Sequence, residues 1–330
     1  MIQLHVAWFE APSRYPVRWD LVLSTRTLLA LVLSAAAVGA LFLLQRLVGD
    51  SHWPRIWFLP KMALGAPTLL AVQAAITLIY SGVQPVMLAP HLQVRSWPWG
   101  LILGVCEIAI GFAYLTGLAD RAASLLLAGL VATSFLLFPP LEGLALLHWL
   151  GLALVIFVIG RQADQAGRPR DAGGLKLPVG PSGAVTGLRI LTGIAIIAPA
   201  LSEKVWNPAI AQAFLHHHPQ FNVPHYFLGM SWFSDDLFIL AAGVAEFVIG
   251  VLLMTGLLTR VVILGMWLPF NLTVPFLPAP ELIWHLPILG IIYFLLVHGA
   301  NMSPDTDSAR VDSRDQLQTV NDGARTGQTP

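Results

Sequence analysis

Two of the eighteen acidic residues in the chain, Glu107 and Glu246, sit in the middle of long apolar runs. They share a frame. GVCEIAIGFAYLTGLADR, Gly104 to Arg121, returns 139 residues later as GVAEFVIGVLLMTGLLTR, Gly243 to Arg260, with nine of eighteen positions identical. Matches among Leu, Ile and Val carry little information in apolar helices. The common pattern G-x2-E-x3-G-x4-T-G-L-x2-R carries more, because Glu and Arg are costly in such surroundings. The repeat marks an internal duplication. Carboxylates inside a membrane are functional candidates by default. Glycines three residues before and four after each Glu put it on a small-residue stripe, where a neighbouring helix can approach closely. A Glu hydrogen-bonded across a helix interface purely for packing is the competing reading.

Histidines make the chemical reading more specific. His148 and His285 open the last helix of each repeat, after Phe138-Pro139-Pro140 and Phe276-Leu277-Pro278. Counted from those prolines at about 1.5 Å per residue, each lies at nearly the depth of its glutamate. Glu107–His148 and Glu246–His285 are therefore predicted as two intramembrane pairs, able to shuttle protons or hold a quinone carbonyl; interfacial histidines facing headgroups are the alternative. His285 and His298 are thirteen residues apart on one helix face, but the corresponding position after His148 is Arg161, so the set is incomplete for a bis-histidine haem. No metal site is predicted: His216-His217-His218 are consecutive, and successive helical residues point about 100° apart. The cations open to a cofactor are Lys204, Arg189, Arg260 and Arg121. For Lys204 the competing role is snorkelling from beneath an aromatic outer segment, and for Arg121 and Arg260 it is topological anchoring.

These residues need helices in a bilayer to place them. The chain of 330 residues is 56% hydrophobic and only 11% charged, with a mean hydropathy of +0.72, whereas soluble domains carry about 25% charged residues. Net charge is zero and gives no sign of nucleic-acid binding. One cysteine, Cys106, excludes an intrachain disulfide, a CxxC pair and a CxxCH haem attachment. The first apolar run begins near Leu28, behind a tryptophan- and proline-containing tail unlike a cleaved signal peptide. About nine runs reach the roughly 20 residues that a span needs, and they lack the alternation of barrel strands. They lie near 28–44, 67–88, 99–118, 122–138, 144–160, 185–201, 236–258, 261–277 and 282–298. An all-α polytopic membrane protein is predicted, with one extra helix and two tandem four-helix bundles. Its parts are 1–65 (tail, first helix and loop), 66–160 (first unit), 161–183 (linker), 184–300 (second unit) and 301–330 (disordered tail). Arg161, Arg168, Arg170 and Lys176 place the linker on the cytoplasmic side. With that anchor ten basic residues fall inside and two outside, which makes the C-terminus cytoplasmic too.

The pattern E-x3-G-x5-G-x3-R within a four-helix apolar unit resembles the DoxX/DoxD family of bacterial integral membrane proteins. Glu107, Gly111, Gly117 and Arg121, then Glu246, Gly250, Gly256 and Arg260, carry the resemblance. Arg189-Ile190-Leu191-Thr192-Gly193 ahead of Ser202-Glu203-Lys204 also looks like the family's first helix. The first unit departs there, keeping Ser81-Gly82 without the Arg or the Lys. The resemblance implies a redox-linked subunit of the bacterial cytoplasmic membrane, quinone-associated or partnered with other membrane redox subunits. A non-catalytic scaffold or a small-molecule or lipid carrier is the alternative.

Overall fold

The computed structural model describes residues 10, 14–48, 54, 56–94, 96, 98–160, 180–273 and 279–299. Residues 161–179 of the linker, residues 274–278 and the 301–330 tail lie outside them. The helices are α1 (Thr25–Val48), α2 (Leu59–Met62), α3 (Ala66–Gly82), α4 (Trp99–Thr116), α5 (Asp120–Leu137), α6 (Pro140–Ala145), α7 (Leu147–Ile159), α8 (Pro181–Pro199), α9 (Pro208–His217), α10 (Val223–Tyr226), α11 (Asp235–Thr255), α12 (Thr259–Thr273) and α13 (Ala279–His298). A short antiparallel hairpin, β1 (Val86–Met87) and β2 (Ala89–Gln93), follows α3.

Among the described residues, eight segments are long and apolar enough to cross a membrane: 25–48, 63–82, 99–116, 120–137, 140–159, 181–205, 235–255 and 280–298. The ninth expected span corresponds to α12, which is described over 15 residues, short of the roughly 20 that a full crossing uses. The chain is an all-α polytopic membrane protein. Its surface agrees with that solvent. Leu28, Val32, Leu43 and Leu47 of α1 are exposed while Thr27, Ala30 and Ser34 are buried. Small and polar residues face the protein and leucines face outward, the arrangement expected in lipid.

The two units are not separate bundles. The first helix of each packs on its own second helix, α3 on α4 and α8 on α11. The last helix of each packs chiefly on the first helix of the other unit, α7 on α8 and α13 on α3. With α4–α5, α5–α7, α11–α12 and α12–α13 in contact as well, the eight repeat helices close a ring. Helix α1 stands outside the duplication and packs on α11.

Glycines of the repeat set the closest approaches. A Cβ on Gly111 would lie 2.7 Å from the Ile79 side chain and 3.0 Å from the Ala75 carbonyl. On Gly250 it would lie 2.5 Å from Ile197 and 2.7 Å from the Gly193 carbonyl. The T-G-L sequence ends both glutamate helices identically. Gly117 (φ 73°) and Gly256 (φ 74°) take the left-handed cap, the conformation in which glycine pays no Cβ penalty. Ala119 and Leu258 follow with φ of 57° and 45°, and the next helix starts at once.

Candidate functional site

The two copies of the motif present the same glutamate to different partners. In the second unit, α8 carries Pro199 near its end, which lacks the amide of a regular turn. The chain continues as a π-helix over Ala200–Val205, closed by the Trp206 N–H donating to the Leu201 carbonyl at 2.7 Å, five residues back. That wider turn carries Lys204 inward. Its Nζ lies 2.8 Å from Glu246 Oε2, and both residues are buried, at 3% and 0% exposure. Gly243 makes the room: a Cβ there would stand 3.2 Å from Lys204 Cβ. Glu203 is buried beside them and within electrostatic reach of Glu246. A π-turn in a helix is frequently a functional feature, and a charge pair inside a membrane span is one by default.

Among the described residues, no cation meets Glu107 in the first unit. The β1–β2 hairpin folds back over α4, with Val86, Met87, Leu88, Ala89 and Leu92 all buried. Leu88 takes the left-handed conformation (φ 60°) at its tip, and its N–H donates to Glu107 Oε1 at 2.9 Å. The Ser81 hydroxyl stands beside the same carboxyl. Glu107 Oε2 has no hydrogen bond among the described residues.

The hydrogen bonds described for the two predicted histidines run to backbone carbonyls. His148 Nδ1 bonds the Ala145 carbonyl at 2.9 Å, and His285 Nδ1 bonds the Glu281 carbonyl at 2.6 Å. Register sets the two histidines apart. The offset of 139 that carries Glu107 onto Glu246 also carries Glu142 onto Glu281, and it carries His148 onto Pro287 rather than His285. The two histidines are thus two positions out of register, about 200° around a helix.

The arginines belong to the other end of the bundle. Arg121 Nε donates to the Phe157 carbonyl at 3.3 Å, and Arg260 Nε donates to the Leu296 carbonyl at 3.4 Å. These pairs are equivalent in the repeat. Arg260 also reaches the Pro54 carbonyl at 3.4 Å, and Arg189 donates to the Gly299 carbonyl at 3.2 Å. All three cap the C-terminal carbonyls of a last helix, where cations are favoured. That separates them from Lys204, with which they were grouped as cofactor-binding candidates.

Other histidines find local partners. His91 bonds Glu142 at 2.8 Å and ties the hairpin to α6. His298 bonds the Ala63 carbonyl at 3.2 Å. His217 pairs with Glu10 at 2.8 Å, and His218 stacks on Phe214 at 4.9 Å. Among the described residues no three His, Cys, Asp or Glu side chains cluster as a metal site.

A crevice of about 10 Å³ lies between α1, the π-helix and α11, bordered by Thr27, Ser34, Leu201, Val205, Gly243 and Phe247. That is the size of one water molecule. It is lined chiefly by apolar side chains and does not fit a quinone ring. No protein-family model matches the chain, and no curated protein or solved structure matches it either.

Proposed function

We propose that the chain is a membrane subunit of DoxX/DoxD type, linked to a membrane oxidoreductase. In this reading its second unit carries a proton-exchanging centre, Lys204–Glu246, and its first unit is structural. One observation carries the reading. The same glutamate, in the same repeat frame, is met by a lysine ammonium in one unit and by a backbone amide in the other. The first unit is an internal control, since it buries its glutamate without a cation. Packing alone therefore does not call for Lys204. Buried ion pairs are often no more stabilising than apolar residues of similar volume, so selection for stability is a poor account of this one.

The chemistry such a pair offers is proton transfer between a carboxylate and an ammonium in contact. Redox enzymes in membranes exchange protons whenever a carrier is reduced or oxidised, and a partner subunit would supply that carrier. The crevice is too small for a quinone ring, so no step here runs through one. The proposal includes the bacterial cytoplasmic membrane, with the linker and the C-terminus on the cytoplasmic side. Purification in mild detergent, with mass spectrometry of the co-purifying proteins, tests it. An oxidoreductase subunit in stoichiometric amount is expected. A chain that purifies alone and confers no redox activity would contradict the proposal and leave a scaffold or carrier.

A further inference from the structure

From the contacts that converge just after the π-helix, we infer that Arg26, on the helix outside the duplication, is a positioning residue that fixes the register in which Lys204 meets Glu246. The inference rests on the reading of that pair as the functional centre. Three hydrogen bonds join the segment at residues 15–26 to the backbone or side chain at residues 204–207. Arg26 donates to the Lys204 carbonyl at 3.2 Å. The Arg18 N–H donates to the Trp206 carbonyl at 3.0 Å. The Asn207 side-chain amide donates to the Tyr15 carbonyl at 2.5 Å. Trp19 and Trp206 add a ring contact at 6.1 Å.

Arg26 is the one of these that acts on Lys204 itself. In a regular helix the Lys204 carbonyl would accept from the amide of residue 208, but that residue is a proline and has no N–H. The guanidinium supplies the missing donor. Without it, the six-residue π-helix loses the contact that holds its end. Relaxing the π turn to an α turn shifts the register by one residue, about 100° of rotation. A rotation of that size takes the Lys204 side chain off the α11 face that bears Glu246 and Gly243.

The arrangement also gives the extra helix a purpose. The repeat units need no ninth helix to close their ring, yet α1 packs on α11 and on the π-helix. Its buried Thr27, Ala30 and Ser34 line that contact, and Arg26 reaches across it.

A zero-length cross-link tests the inference without relying on activity. Dicyclohexylcarbodiimide partitions into the bilayer and couples an amine to a carboxyl in contact. The amide forms between Lys204 Nζ and Glu246 Cδ while the reagent takes up the water as a urea. Peptide mass spectrometry of the full chain in lipid reads the yield. Arg26→Gln should lower it about tenfold, the scale on which one charge-assisted hydrogen bond shifts an equilibrium. Arg26→Met, which keeps the packing of the stem, should do the same and serves if the Gln variant does not accumulate. Arg26→Lys retains a donor for the carbonyl and should stay within about twofold of the parent, a charge-assisted bond being kept. A parental yield in Arg26→Gln or Arg26→Met would overturn the inference, as would a Lys variant as poor as the Gln variant. If the cross-link is lost while redox activity persists, the positioning role stands and the function proposed for the pair falls.

Discussion

Removing the ammonium from Lys204, as in Lys204→Met, isolates the energetics of the buried pair. Glu246 has no exposed surface, and it pairs with Lys204 at 2.8 Å. Breaking a buried pair from one side leaves an uncompensated charge, with a typical cost of about 3–5 kcal/mol. That is roughly a 100- to 5,000-fold shift in the folded-to-unfolded ratio. Replacing both partners, as in Lys204→Met with Glu246→Leu, removes the uncompensated charge and should return stability to within about 1 kcal/mol of the parent or above it. Glu107→Gln is the matched control. A glutamine oxygen still accepts from the Leu88 N–H, so the cost should be about 1 kcal/mol or less. Reversible unfolding in mixed micelles, titrated with dodecyl sulfate and followed by circular dichroism, measures all three. The reasoning is refuted if Lys204→Met loses less than about 1 kcal/mol, or if the double substitution is as damaging as the single one.

Three further outcomes follow from the geometry. Gly250→Ala should cost about 1–3 kcal/mol by overpacking against Ile197 and the Gly193 carbonyl, whereas Gly265→Ala, with nothing within 4 Å of its added Cβ, should be neutral or slightly stabilising in the same titration. Arg260→Gln should lose about 1.5–3 kcal/mol from its charge-assisted bonds while the Lys204–Glu246 cross-link yield stays unchanged, because the two sites lie at opposite ends of the bundle. Cys106→Ala should change stability by no more than about 0.5 kcal/mol and leave redox activity at the parental rate, since Cys106 is only half-buried and its repeat counterpart is Ala245.

The sequence made the spans, the duplication and the two glutamates legible, because charge inside an apolar run is rare enough to notice. The partners of the glutamates were not legible. Leu88 reaches Glu107 through its backbone N–H, and a backbone donor leaves no trace in residue type. Lys204 was visible as a cation near the end of a span, but its direction depends on a π-turn after Pro199 that periodicity does not encode. The two histidines are not equivalent in the repeat, for a reason the sequence does contain. The 139-residue offset, extended past Arg260 to Glu142 and Glu281, already puts His148 out of register with His285. The exchange of last helices between the units arises only from packing and has no local signature.

The claim that the second glutamate works and the first only holds the fold is tested most directly by comparing Glu246→Gln with Glu107→Gln. The complex that the proposal expects is purified through this chain in each variant, and its redox turnover is measured per mole of complex. Both substitutions keep the side chain's shape and remove its titratable proton. Glu246→Gln should lower the rate by about a hundredfold, the lower end of what a positioned acid–base group supplies, while Glu107→Gln stays within about twofold of the parent, because its amide-accepting oxygen is retained. Equal rates in the two variants, whether both normal or both lost, would contradict the account.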